Sequence, residues 1–182
     1  MPLTYEPIAS IQYTSTAPAP QYENGNWSYL SFTNIPQTYT DLKIVANATA
    51  GATSTPFWRV NEGQANYSKL GVWANPSIPT VSYNDNYAGG YQELLAGYGL
   101  GTNGNAFTID ILNYTSSSSF RNGFITASRG PDTSNPVVQS LVFEYANGVT
   151  GVPEALTKFS LFIQTGAWAN GTNVTLYGIK AA

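Results

Sequence analysis

The sequence predicts an all-β protein: a single antiparallel β-sandwich, jelly-roll-like, of about nine strands, with the N- and C-terminal strands adjacent. Three observations carry this. Apolar residues alternate with polar ones at a period of two in segment after segment, the signature of half-buried strands. Turn dipeptides and Pro/Gly clusters recur at short spacing, and no segment carries a helical period of useful length. The last segment, Asn173–Lys180, alternates almost to the end of the chain at Ala182. A strand so close to a terminus frays unless a neighbour holds it. Its natural partner is Ile8–Tyr13, which would bring both ends of the chain together.

The elements follow in order. Thr14–Pro20 is a Pro-spaced loop running into the turn dipeptide Asn24-Gly25. Trp27–Phe32 alternates, with Leu30 and Phe32 on one face and Trp27 and Tyr29 on the other. Asp41–Ala48 is the cleanest half-buried strand, with Leu42, Ile44, Ala46 and Ala48 inward. Phe57–Val60 is a short strand, and Asn61-Glu-Gly63 reads as a hairpin turn into a returning arm, Gln64–Trp73, ended by Pro76 and Pro79. Val81–Asn105 is the least regular stretch and reads as a long Tyr/Gly/Asn-rich loop, with one short helix candidate at Gln92–Ala96. Ala106–Tyr114 alternates again, with Phe107, Ile109 and Ile111 on one side. Ser116–Ser119 makes a turn, and Phe120–Ser128 is the partner strand. Gly130–Pro136 is a turn cluster. Val137–Tyr145, Lys158–Ile163 and Asn173–Lys180 complete the set. No composition shift or fixed-period repeat marks a second unit, so residues 1–182 form one domain.

Composition limits the chemistry. The chain has no Cys and no His. Disulfides and thiolate sites are therefore excluded, and so are the commonest general base and metal ligand. Charged residues make up 9%, against about 25% in an average soluble domain. Such a surface suits a protein covered by partners or built into a durable assembly. A net charge of −3 gives no electrostatic basis for binding nucleic acid. No apolar run approaches the roughly 20 residues of a membrane-spanning helix, and Met1–Glu6 lacks the features of a secretory signal. No membrane insertion, export, metal or cofactor is expected.

Gly99-Leu-Gly-Thr-Asn-Gly104 matches the letters of a dinucleotide fingerprint, but no strand precedes it and no helix follows, so it reads as a loop. Catalysis without His is open to a carboxylate pair, as in glycosidases, and Asp110 with Glu144 is the pair to test. Mid-strand positions place both more naturally on solvent faces. The recognition candidate is the loop itself. Tyr83, Asn84, Asp85, Asn86, Tyr87, Tyr91 and Tyr98 combine stiff aromatic area with adaptable hydrogen bonding, the mixture that recognition loops use. Aromatic faces beside amide groups also suit sugars. The same tyrosines could equally pack the loop onto its own sandwich or a neighbouring subunit.

Four segments together carry a resemblance: Ser31-Phe-Thr-Asn-Ile-Pro-Gln-Thr-Tyr-Thr-Asp-Leu42; Arg59-Val-Asn-Glu-Gly63 with Asn66-Tyr-Ser68; Ile111-Leu-Asn-Tyr114; and Val174-Thr-Leu-Tyr-Gly-Ile-Lys-Ala-Ala182. With Tyr5–Ser10, they are similar to the small virion structural proteins of tailed bacteriophages, especially those infecting cyanobacteria. Each motif describes a strand and its turn, not a chemical site. The loop around Pro18 and Pro20 and the stretch Val81–Asn105 lie outside the pattern. The resemblance implies a non-enzymatic particle component, assembled in the host cytoplasm and resident in the virion. Its partners would be other virion proteins, further copies of itself and host-surface glycan. A tail-associated, fibre-type position and a capsid decoration or cement role both fit. A carboxylate-only polysaccharide hydrolase is the enzymatic alternative. The closing strand carries apolar groups on both faces, so its outer face, with Tyr177 and Ile179, is expected to need cover from another subunit.

Overall fold

The computed structural model describes residues 4–14, 22–23, 27–51, 54–61, 66–75, 78–87, 92–94, 100, 102, 104–119, 121–129, 137–146, 153–163 and 166–180. Within them the chain is all strand and turn, with no helix. Thirteen strands are formed among the described residues: β1 Thr4–Gln12, β2 Tyr22–Glu23, β3 Trp27–Phe32, β4 Asp41–Ala48, β5 Pro56–Val60, β6 Asn66–Asn75, β7 Ile78–Tyr87, β8 Gln92–Glu93, β9 Asn105–Ile111, β10 Arg121–Arg129, β11 Val137–Ala146, β12 Phe159–Ile163 and β13 Asn173–Lys180. They make two antiparallel sheets. One has eight strands in the order β1-β13-β4-β9-β10-β11-β6-β7, the other five in the order β2-β3-β12-β5-β8.

That order has a simple reading. Without β6, β7, β10 and β11, the larger sheet runs β1-β13-β4-β9 and faces β3-β12-β5-β8. The chain crosses between the layers in the pattern of two wrapped Greek keys, which is a jelly roll. The remaining four strands are excursions, β6–β7 between β5 and β8 and β10–β11 between β9 and β12. Both add to the β9 side of the larger sheet and widen it from four strands to eight.

The core lies between the layers. Leu42, Ile44, Ala46 and Ala48 of β4 meet Phe107, Ile109 and Ile111 of β9 and Val174 and Leu176 of β13. From the opposite sheet come Leu30, Phe32, Trp58, Val60, Phe159, Leu161 and Ile163. Each fully buried aliphatic or aromatic side chain contributes about 1.5–3 kcal/mol. Trp168 closes one end, donating its indole N–H to the Ser28 carbonyl at 3.1 Å. Tyr114 closes another region, its hydroxyl donating to the Pro36 carbonyl. Burial pushes that phenol above its ordinary pKa, so it serves as a neutral donor.

The ends pair as expected. β1 runs antiparallel to β13 with Thr4 opposite Lys180 and Gln12 opposite Asn173, and a register shift falls between Pro7 and Ala9. A proline and a bulge on an outermost strand guard it against pairing with other chains. Val174, Leu176 and Gly178 face the core, as the alternation requires. The other face of β13, expected to need cover from another subunit, is partly covered by its own chain. Ile179 is only 6% exposed within the single chain and Tyr177 is half-buried.

Four further expectations are corrected. β5 and β6 do not form a hairpin, because β5 pairs with β12 and β8 while β6 pairs with β11 and β7. Asn61, the last described residue before β6, is bonded to the segment that leads into β12. It takes a positive φ of 49°, its Nδ2 donates to the Ala155 carbonyl at 2.8 Å, and its Oδ1 accepts from the N–H groups of Thr157 and Lys158 at 2.8 and 3.1 Å. The turn is thereby tied to the approach to β12. Secondly, the stretch expected as a loop from Val81 forms β7 as far as Tyr87, with β6 as its partner. Thirdly, Pro79 does not end the preceding arm, since it lies inside β7. Finally, Gln92 and Glu93, which open the short helix candidate judged too short to stand alone, form β8 against β5.

Candidate interaction surface

The outward face of the large sheet is a register grid, because strands paired side by side place one residue each in a row. One row crosses all eight strands. From β1 it reads Pro7, Tyr177, Lys43 and Asp110, and it continues through Phe124, Val142, Leu70 and Asn84. The row two residues along reads Ser10, Thr175, Val45 and Thr108, then Thr126, Ser140, Val72 and Ser82.

The two halves of this face differ. On the jelly-roll half, Lys43 grips both Asp110 carboxylate oxygens at 2.7 and 3.0 Å, and Ser10 and Thr175 hydroxyls meet at 2.9 Å. These polar groups satisfy one another, while Tyr5 and Val45 on the same half are exposed at 51% and 39%. On the added strands, Phe124, Val142 and Leu70 stand in one row at 48%, 49% and 60% exposure, with Val72 beside them at 48%. Four large apolar side chains on three adjacent strands thus form one continuous strip. The core-facing positions of the same strands are buried: Ile125 and Ala127 on β10, and Lys69 on β6 at 1% exposure.

The expected recognition residues fall at the margin of this strip. Tyr83, Asn84, Asp85, Asn86 and Tyr87 occupy β7, the outermost strand on that side among the described residues. Tyr91 and Tyr98 lie outside the described residues. Strand geometry divides the five between two registers. Asn84 and Asn86 stand opposite the exposed Leu70 and Ser68, whereas Tyr83, Asp85 and Tyr87 stand opposite Gly71, Lys69 and Tyr67. Asp85 is thus paired across the strands with the buried Lys69.

The candidate carboxylate pair is not assembled by adjacent strands. Asp110 on β9 stands opposite Phe124, and Glu144 on β11 stands opposite Asn122, with β10 between them. Asp110 is committed to Lys43.

A cluster not foreseen from the sequence occupies the outward face of the smaller sheet. Phe162 of β12 is fully buried between Trp27 at 5.1 Å, Tyr29 at 4.8 Å and Phe57 at 5.5 Å, all in stacked geometry. The Arg59 guanidinium lies 4.8 Å over the Tyr29 ring, a cation–π contact. Alternation had placed Trp27 and Tyr29 away from the core. Their partners became legible only with the strand order β3-β12-β5.

At the seam of the two ends, Lys180 donates to both Glu6 oxygens at 2.9 and 3.0 Å, and the Tyr39 hydroxyl donates to Glu6 at 3.1 Å. The bond from Lys180 holds the Glu6 carboxyl below its ordinary pKa, and the same bond raises that of Lys180.

No protein-family model matches the chain, and no curated protein or solved structure is significantly similar to it.

Proposed function

We propose that the chain is a non-enzymatic structural component of a tailed-bacteriophage particle, tail-associated, and that it works by docking rather than by chemistry. The observation that carries the docking half of this reading is the exposed strip of Phe124, Val142, Leu70 and Val72 on strands added to a jelly roll. A soluble monomer exposes such side chains singly, and a contiguous group marks a contact surface. The phage half rests on the strand-and-turn resemblance described under Sequence analysis. Jelly rolls recur in viral capsid and lectin domains, which is compatible with it by analogy of fold alone. Tyr83–Tyr87 at the margin of the strip, with Tyr91 and Tyr98, are the residues proposed to meet the host surface, with glycan as the ligand.

A capsid decoration role is the second reading, favoured by the uncharged stretches Phe124, Val142, Leu70 and Thr126, Ser140, Val72 across β10, β11 and β6. Quantitative mass spectrometry of purified particles separates the two. Copy number at a small multiple of tail symmetry supports the tail, and copy number near that of the shell subunit supports the capsid. Absence of the protein from purified particles overturns both.

A further inference from the structure

We propose that the added half of the large sheet is a self-docking surface, on which a second copy of this chain packs face to face through the strip of Phe124, Val142, Leu70 and Val72. The inference rests on the assembly reading above and names its surface and its occupant.

Three observations select a second copy. The first is area. Strands β9, β10, β11 and β6 stand side by side and leave β7 to the host surface. At about 4.8 Å per strand and about 3.3 Å per residue they present a flat area on the order of 550–600 Å². Side-chain relief adds to this, which brings it near the roughly 800 Å² that each partner buries in a stable pair. The second is charge. In the two rows that hold the strip the ionic residues are Asp110 and Lys43, which neutralise each other, and Glu144 falls by register in the next row, opposite Asn122. Two copies of these rows can therefore meet without repulsion. The only cation in these rows is Lys43, held by Asp110, which disfavours nucleic acid and anionic membrane as occupants. The third is composition. Beside the strip, Thr108, Thr126 and Ser140 form a row of hydroxyls in register. Each hydroxyl can both donate and accept, so such a row can bond to a copy of itself.

The geometry is that of two sheets about 10 Å apart, with Phe124 as the aromatic anchor that a small interface needs. In an isologous pair each strip lies against its own duplicate.

The test uses the full chain in sedimentation equilibrium over a micromolar range. The wild type is expected to dimerise, and Phe124→Asp and, independently, Leu70→Lys should each raise the dissociation constant about thirtyfold or more. Circular dichroism and the thermal midpoint confirm that each variant is folded. Because the chain has no Cys, Thr126→Cys supplies a single thiol in the face. A bismaleimide about 10 Å long should join two such copies, and should not join copies carrying Ser118→Cys in the exposed turn after β9. A monomeric wild type, folded variants that associate as the wild type does, or equal crosslinking at both thiols overturns the proposal. A dimer formed by a protein absent from phage particles would instead overturn the phage reading and leave the self-docking surface standing.

Discussion

The Tyr39 ring lies directly over Gly178, where a β-carbon would stand 2.3 Å from the ring's Cγ and 2.4 Å from Cδ1. This contact brings the segment before β4 down onto the closing strand. Its tyrosine then reaches Glu6 on β1 with its hydroxyl, while Lys180 sits 5.3 Å from the ring centre. One aromatic ring therefore holds three parts of the chain.

Gly178→Ala is expected to destabilise the fold by about 1–3 kcal/mol, the usual effect of forcing a methyl into a filled site. Denaturant unfolding measures it. In a Tyr39→Ala background the same substitution should cost much less, because the clash is gone. Equal losses in the two backgrounds would refute the assignment.

The Glu6–Lys180 pair makes a signed prediction for pH. Glu6 has a lowered folded pKa, so its contribution is present above the ordinary glutamate range and is lost as pH falls through the depressed value. Lys180 has a raised one, so its contribution persists below the ordinary lysine value and is lost only as pH rises through the elevated value. At neutral pH both hold. Glu6→Gln should lower the thermal midpoint slightly at pH 7, and the gap to wild type should close on acidification below the glutamate range. A gap that stays constant into strong acid would show that the loss has another cause.

Phe162→Ala removes the middle ring of the outer stack, and about 3–5 kcal/mol of stability should go with it. Trp27 stacks on that ring with an interplanar angle of 10°, so its fluorescence should change as well. Phe162→Leu should recover part of the stability but not the stacking signature. A fully stable alanine variant would mean that the stack contributes little.

Asp110→Asn addresses the enzymatic alternative. The pair with Lys43 is partly exposed, with 26% and 28% of the two side chains accessible, so the change should cost no more than about 1 kcal/mol. Neither the wild type nor the variant should depolymerise host-surface polysaccharide. An activity that disappears with Asp110→Asn or Glu144→Gln would reverse the non-enzymatic reading.

The local pattern was legible where burial is one-sided. Leu42, Ile44, Ala46 and Ala48 were readable as inward-facing because β4 is bounded by the core on one face only, and the same holds for Phe107, Ile109 and Ile111. The pairing of β1 with β13 followed from the need to secure a terminal strand. What alternation does not encode is the sheet a strand joins. Nothing in Phe57–Val60 separates a hairpin from a crossover, and the bonds that follow it run from Asn61 to residues more than 90 positions away. β7 was missed because Ser82, Asn84 and Asn86 contrast little with the tyrosines between them and the stretch holds Pro79. A strand carried largely by its neighbour leaves a weak periodic signal. The strip escaped for a related reason. Phe124, Val142, Leu70 and Val72 are scattered across 73 positions of sequence, and only the β10-β11-β6 order brings them together.

The pairing of the first strand with the last also sets a timetable. Glu6 and Lys180 are 174 positions apart, and the β1 edge of the large sheet cannot close until both have left the ribosome. At roughly 5–20 residues per second, β1 waits on the order of ten to thirty seconds for its partner. Contacts this distant along the chain place such a protein among slow folders. During that interval the proline and the bulge in β1 do their most useful service, by keeping a nascent strand from pairing with the wrong chain.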